Sequence, residues 1–325
     1  WALYQLGKVY YQKKLYDEAA AQFTTLSEEL PDSPLAAMAL YQLAYVRLAQ
    51  GRAEDAAVQF AAVAASDADP ALRMESCFRA AETYDEMGWY EAAAAAYEQV
   101  KQDFAGTDYA RRAEYGQAWS LYHARQFDQA ARAARAFIDA NGDSPLAIGT
   151  RYLLGNCLQR QQDYDNAIGE YQQVVDNYPD SEFAGRARHK IIWCTFLKGN
   201  VEEAKAKVRE FLASNPGKDL VGDAAFLMGT ILFGEKNYED AYEEFRLIAE
   251  KYPDAEFAPE ALFKSAECLS ELGRADEAEA LFEKFATTYP DNIMAEEAIL
   301  RVGDAEFFRA SFNEAVEKYT AILAA

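Results

Sequence analysis

The fold is decided by the stretch Tyr16-Asp17-Glu18-Ala19-Ala20-Ala21-Gln22-Phe23, because its pattern returns every 37 residues along the chain. One or two acidic residues precede an alanine, and an aromatic residue follows four positions after it. The alanine recurs without insertion or deletion at Ala19, Ala56, Ala93, Ala130, Ala167, Ala204, Ala241, Ala278 and Ala315. Such a period is typical of an array built from one supersecondary unit.

The residues around the alanine predict a helix that begins just before it. Apolar residues recur three before, four after and seven after the alanine, and these positions share one helical face. Two before the alanine, eight of the nine repeats carry Asp or Glu, and the ninth carries Asn313. A carboxylate there suits the first turn of a helix, where the dipole and the free N–H groups are positive.

A second helix is predicted on the N-terminal side of each alanine. Twelve positions before it, eight repeats carry Gly or Ala, and Ile192 is the exception. We expect this small residue to face the alanine, as Gly155 would face Ala167, so that two helices pack closely. All nine prolines fall 12 to 18 residues after the alanine, where a proline ends one helix or opens the next. Each unit is therefore helix, tight turn, helix and loop.

The chain resembles the tetratricopeptide repeat (TPR) family along its whole length. The resemblance lies in the spacing of the small residue, the alanine, the aromatic residue and the proline. The family's repeat is about 34 residues, whereas this one is 37. Strings such as Tyr178-Pro179-Asp180-Ser181 and Tyr289-Pro290-Asp291 resemble the subtype found in bacterial envelope proteins, among them the outer-membrane assembly lipoprotein and the Tol-Pal coordination protein. The resemblance implies an all-α, right-handed superhelical solenoid of nine antiparallel helix pairs, with the first helices lining a concave face. It implies one array over residues 1–325, in the periplasm or at the outer membrane. We also expect this array to be a fragment of a longer chain.

Composition excludes several kinds of partner. The chain has 32 Lys and Arg against 54 Asp and Glu, so its net charge is −22. Binding to nucleic acid or to anionic lipid needs a basic face, so neither is expected. No stretch reaches the roughly 18 apolar residues of a membrane span, so this segment is not expected to insert into a membrane.

Residues for catalysis, metal binding or cofactor binding are scarce. Cys157, Cys194 and Cys268 occupy the same repeat position, which predicts small buried side chains. The two histidines, His123 and His189, lie in different repeats without cysteine or carboxylate at ligand spacing. No phosphate-binding glycine motif occurs, so we expect no metal, no cofactor and no enzymatic activity. Unpaired thiols favour a reducing compartment such as the cytoplasm, which stays open beside the envelope.

Aromatic residues on the predicted first helices suggest a binding surface. An aromatic column lies fifteen before the alanine, with His189 and Leu300 completing it, and we expect it at the edge facing the groove. Rigid aromatic residues in a groove are typical binding hot spots, although the same rings could pack between helices instead. The candidate partner-binding residues from these positions are Tyr115, Trp119, Tyr122, Tyr152, His189 and Trp193.

Charge is distributed unevenly among the repeats. The block 185–221 carries eight basic and four acidic residues, a net charge of +4 in an acidic chain. Arg186, Arg188 and Lys190 lie on one predicted first helix. These residues are either a docking point for an acidic partner segment or cations neutralised by neighbouring repeats.

The sequence therefore predicts a non-enzymatic scaffold that binds a protein or peptide segment in its concave groove, within a bacterial envelope assembly. The alternative is a structural protein that self-assembles, because Trp1 and Ala325 open and close the chain without a polar capping helix. The self-assembly hypothesis predicts a homo-oligomer. Enzymatic activity would require a further domain outside these residues.

Overall fold

The computed structural model describes residues 1–214, 217–253, 255 and 257–324, and it is helical throughout. Within these residues there are eighteen α-helices and no strand. The helices are α1 (Ala2–Gln12), α2 (Tyr16–Thr24, continued by a π-helical turn Thr25–Glu29), α3 (Ala36–Ala49), α4 (Ala53–Ala64), α5 (Pro70–Glu86), α6 (Tyr90–Asp103), α7 (Asp108–His123), α8 (Phe127–Asn141), α9 (Leu146–Arg160), α10 (Tyr164–Asn177), α11 (Glu182–Leu197), α12 (Val201–Ala213), α13 (Lys218–Gly234), α14 (Tyr238–Lys251), α15 (Ala258–Glu271), α16 (Ala275–Thr288), α17 (Ala295–Phe308) and α18 (Phe312–Ala324).

The helices confirm the predicted repeat. Odd-numbered helices are the first helix of each repeat and even-numbered helices the second, and each repeat alanine lies in the first turn of its second helix. The predicted carboxylates occupy those first turns, as Asp17 does in α2 and Glu202 in α12. In the described part of the chain, each helix is too short or too polar to cross a membrane.

A left-handed residue ends the first helix of every repeat. It lies five positions before the alanine, and φ there is between +59° and +86°. The next residue donates its backbone N–H to the carbonyl five positions earlier, as from Leu15 to Tyr10 and from Asn237 to Leu232. This Schellman motif satisfies carbonyls that the helix end would leave without partners. Four repeats use glycine at this position, and five use Lys14, Arg125, Gln162, Lys236 and Ala310.

The predicted pairing of the small residue with the alanine is wrong. A Cβ added to Gly7 would lie 2.7 Å from Cε1 of Phe23, and one added to Gly229 would lie 2.8 Å from Cε1 of Phe245. The small residue therefore packs against the aromatic ring four positions after the alanine, whose bulk needs more space than the alanine methyl group. Where Ile192 takes the small position, Val208 replaces the ring, and both lie in the same core cluster.

The expectation that the aromatic column faces the groove is also wrong for most of its members, which are buried. Tyr4 packs edge-on against Phe23, and Phe263 against Phe282, with ring centroids 5.9 and 5.2 Å apart. The column therefore belongs to the core between the two helices of a repeat, where such aromatic pairs contribute beyond their buried area.

The chain forms two compact units, Trp1–Glu170 and Tyr171–Ala325. In the first unit, each helix packs on its sequence neighbours from α1 to α9. In the second unit, α11 to α18 pack in the same sequential way. Each unit thus builds its core from successive helices, and the single array over residues 1–325 stays a prediction.

Candidate partner-binding surfaces

The first unit carries an aromatic cluster on α7, which we call the α7 cluster: Tyr115, Trp119, Tyr122 and His123, together with Tyr90. Tyr115 and Tyr122 lie four residues before and three after Trp119, a spacing that puts all three on one face of the helix. The ring centroids of Tyr115 and Trp119 are 6.2 Å apart, and those of Trp119 and Tyr122 are 6.3 Å apart. These three predicted residues are therefore brought together by the fold.

His123 extends the cluster into a stack of three rings. It lies 5.0 Å from Tyr90 at 29° and 6.0 Å from Trp119 at 27°, measured between ring centroids and planes. His123 is exposed, whereas Tyr90 and Trp119 are half-buried. The stack thus exposes His123 to solvent and packs Tyr90 and Trp119 on either side of it. Because the stacked rings are already restrained, they would lose little side-chain entropy on binding.

The indole N–H of Trp119 is buried and has no hydrogen-bond partner among the described residues. Leaving a buried donor unsatisfied costs about 1–3 kcal/mol.

Tyr152 and Tyr115 differ in their surroundings. Tyr152 is buried, with 8% of its surface exposed, so it has little area to offer a partner. Tyr115 is half-buried and packs edge-on against Phe137 at 6.5 Å. Ala134, on the same helix as Phe137, takes the position that is aromatic in most other repeats.

In the second unit, His189 is a core residue. Only 6% of its surface is exposed, and its ring centroid lies 6.4 Å from that of Phe211. Burial, with a smaller contribution from the positive charge of Lys190, lowers the pKa of His189 to about 4. Its Nδ1 is 4.0 Å from Oδ2 of Asp223. The imidazole is therefore neutral at pH 7. Trp193 is half-buried and meets the His189 ring edge-on at 6.3 Å.

The three basic residues of α11 do not form one patch. Residues two apart on a helix point about 200° apart, so Arg186 and Arg188 face different sides. Arg188 lines a cleft with Lys207 of α12, whereas neither Arg186 nor Lys190 lies among the described residues that line it. On α12, Lys205 pairs with Glu235 of the next repeat at 2.8 Å, so neutralisation between repeats accounts for that cation.

The described residues contain no group of three or more His, Cys, Asp or Glu side chains that could hold a metal ion. The four cysteines are free. Burial raises the pKa of Cys77 and Cys194 to about 11 and that of Cys157 and Cys268 to about 12, so all four stay protonated thiols at neutral pH. The prediction of small buried side chains at Cys157, Cys194 and Cys268 is confirmed.

Two aromatic residues of this region, Tyr90 within the α7 cluster and Phe127 beside it, were not among the predicted site residues. Tyr90 and Phe127 lie three before their alanines, and each begins a second helix. The structure places Tyr90 on His123 and Phe127 against Tyr122, with centroids 5.0 and 5.5 Å apart. The tight turn that brings the start of a second helix back to the end of the first is the signal that would have identified them.

Comparison with protein families supports the repeat assignment independently. Tetratricopeptide repeat models match residues 3–72, 75–102 and 115–182, together about half of the chain. An outer membrane lipoprotein family model matches residues 152–276. No curated protein sequence matches the chain.

Solved structures show the same fold. A tetratricopeptide repeat protein from Parabacteroides merdae is 16% identical, with a TM-score of 0.52 over 81% of this chain and 97% of its own. The apo form of RapI is 13% identical, with a TM-score of 0.59 over 89% of this chain and 86% of its own. At these identities, the likeness extends to the helical architecture alone.

Proposed function

We propose, on the premise that this chain belongs to the tetratricopeptide repeat family, that it is a non-enzymatic scaffold for a segment of a partner protein. The observation that supports this most is the α7 cluster, where aromatic rings are clustered on one helical face without filling the core. A helix that served only packing would bury such rings, as α9 buries Tyr152.

The chemistry of the α7 cluster suits an extended or helical peptide. Its rings offer a large apolar area at low entropic cost, and such residues dominate the binding energy of many interfaces. Arg160 lies 6.0 Å from the ring centroid of Phe127 and adds a cation beside this surface. We therefore place an apolar anchor of the partner on the rings and a carboxylate near Arg160.

The proposed setting is a bacterial envelope assembly, at the periplasmic side or on the outer membrane. Support comes from the outer membrane lipoprotein model, which spans residues 152–276, and from the Tyr-Pro-Asp strings between repeats. A scaffold in that position would hold a segment of an envelope protein rather than modify it.

Site-specific photocrosslinking in the native host tests this function. A benzoyl-phenylalanine placed at Tyr122 or His123 should crosslink a partner protein, because both positions border the α7 cluster. The matched control is the same group at Arg132, which is exposed on the second helix α8. Equal crosslinking from all three positions, or none from any, would contradict the proposal.

The alanine variant of Trp119 then measures the energetic role of the surface. For an anchor residue, Trp119→Ala should weaken partner binding by about 2 kcal/mol or more. Thermal unfolding of the same variant is the control, because a tryptophan that only packs the core would instead cost about 3–5 kcal/mol of folding stability. Crosslinks that join two copies of the chain, with a light-scattering mass that rises with concentration, would favour the self-assembling alternative.

A further inference from the structure

A cleft of about 560 Å³ opens in the second unit between the second helices α10 and α12. Its floor is apolar, because the half-buried Val175 and Leu220 line it together with the buried Ile191, Ile192 and Phe211. Its rim is polar, with Arg188 from α11 and Lys207 and Glu210 from α12. Trp193 does not line the cleft, so this surface is separate from the aromatic residues on α11.

The same cleft recurs three repeats later, between α16 and α18. There the residues 111 positions further along the chain line it: Glu283, Ala286, Ile299, Val302 and Lys318 in place of Gln172, Val175, Arg188, Ile191 and Lys207. The architecture thus produces an opening between successive second helices at both places. The side chains at equivalent positions decide what each opening can bind.

Charge distinguishes the two clefts. Two lysines and two glutamates line the later cleft, so its lining carries no net charge, and Nζ of Lys318 lies 2.8 Å from Oε1 of Glu283 across the opening. In the earlier cleft, the equivalent of Glu283 is Gln172, whose amide donates to Asp176 on its own helix. Lys207 pairs only along its own helix, with Glu203 at 3.6 Å, among the described residues.

Arg188 adds a second positive charge where the later cleft has Ile299. Its side chain is half-buried, and it makes no ion pair within the described part of the chain. A half-buried guanidinium is less screened by salt than a fully exposed one, so it attracts an anion more strongly. The guanidinium also offers the planar set of donors that suits a carboxylate.

We propose that this cleft is a second docking site, which binds an acidic segment of a protein with a large apolar side chain. The apolar side chain would lie on this floor against Val175 and Leu220, and a neighbouring carboxylate would reach Arg188 and Lys207. Charge complementarity favours an acidic occupant: the chain carries a net charge of −22, whereas this cleft is lined by the cations of Arg188 and Lys207 against the single carboxylate of Glu210. The inference rests on the scaffold function and adds a site that the α7 cluster does not include.

The test replaces residues of this cleft with those at the equivalent positions of the later cleft, between α16 and α18. Arg188→Ile and Gln172→Glu install the residues found at the equivalent positions of the later cleft. The probe is an array of acidic octapeptides with every pairing of Leu, Ile, Phe, Tyr and Trp at two central positions. Arg209→Gln is the control, because Arg209 is exposed on α12 but does not line the cleft.

We expect wild-type protein and the Arg209→Gln variant to retain the same peptides. Each of Arg188→Ile and Gln172→Glu should weaken binding about fivefold, as measured by fluorescence anisotropy of the best peptide. Replacing the two central residues of that peptide with alanine should weaken binding as well. Circular dichroism and thermal unfolding of each variant confirm that the fold is kept.

The cleft is ruled out as a docking site if no array peptide is retained, if the two conversion variants bind as wild type, or if basic peptides bind equally well. The cleft variants leave the α7 cluster intact, so crosslinking from Tyr122 is measured separately. Crosslinking that persists while the array fails overturns the cleft inference alone.

Discussion

Exchanging one glycine–ring pair for an isoleucine–valine pair tests how each repeat packs its two helices. Gly229 lies on α13 against the ring of Phe245 on α14, and a Cβ added to Gly229 would lie 2.8 Å from Cε1 of that ring. Ordinary carbon–carbon contacts are about 3.5–4.0 Å, so the overlap is about 0.7 Å or more. The ring has no room to move away, because Phe245 is fully buried.

The expected energies follow from that overlap. Gly229→Ile adds four carbons to a filled space and should cost about 3 kcal/mol. Phe245→Val removes most of a buried ring and should cost about 2–3 kcal/mol through lost contacts and a cavity. The two changes together reproduce the Ile192 and Val208 pair of the preceding repeat. The double variant should therefore cost only about 2–3 kcal/mol, a coupling of about 3 kcal/mol between neighbouring residues.

Hydrogen exchange measured by mass spectrometry on peptides from α13 and α14 gives the local opening free energy of each variant, which suits a repeat protein better than one global unfolding transition. Gly234→Ile is the matched control, because a Cβ on Gly234, at the end of the same helix, would meet nothing within 4 Å. Energies of the two single variants that add to within about 0.5 kcal/mol in the double variant would refute the pairing.

Three further outcomes follow from the structure. Gln162→Gly should raise the free energy of unfolding by about 1 kcal/mol, because its φ is +63° and glycine has no Cβ to strain there, whereas Gly88→Ala should lower it by a similar amount; urea unfolding measures both. His189 has a folded-state pKa of about 4, below its ordinary value of 6.5, so the unfolded chain binds the extra proton between these values. The neutral, buried His189 therefore contributes fully to the free energy of unfolding above pH 6.5, and this contribution, up to about 3 kcal/mol, is lost as the pH falls to 4. His189→Phe should remove this pH dependence when urea unfolding is compared at pH 7 and pH 4.5. The Cys157 thiol, with its pKa raised to about 12, should resist iodoacetamide in the folded protein and react only after urea is added, as mass spectrometry would show.

The sequence predicts the helices well because their signals are local. A period of 37 residues with carboxylates such as Asp17 just before the alanine determines where each second helix begins, and the structure confirms it. The contact between Gly229 and the ring of Phe245 depends on the angle at which the two helices cross, and the 37-residue period gives no information on that angle. The same limit explains the aromatic column: Tyr4 and Phe263 lie on the predicted helical face, yet the second helix covers them.

The site was predictable in part. The spacing of Tyr115, Trp119 and Tyr122 places them on one face of a helix, and the structure brings them together. The opposite orientations of Arg186 and Arg188 also follow from helical geometry, because residues two apart do not share a face. The role of Arg188 in a cleft does not follow, since it depends on the distance between α10 and α12. The unpaired indole N–H of Trp119 likewise emerges only from the packed rings around it.

The left-handed turn that recurs in all nine repeats has a consequence for how such a chain changes over generations. Each turn is closed by its own backbone hydrogen bonds, and five of the nine form without glycine. Duplication or deletion of one 37-residue segment would therefore join two helices through a turn of unchanged geometry. Repeats can thus be added or removed without a change in the turn, while the side chains at positions such as 172 and 188 set the charge of each opening.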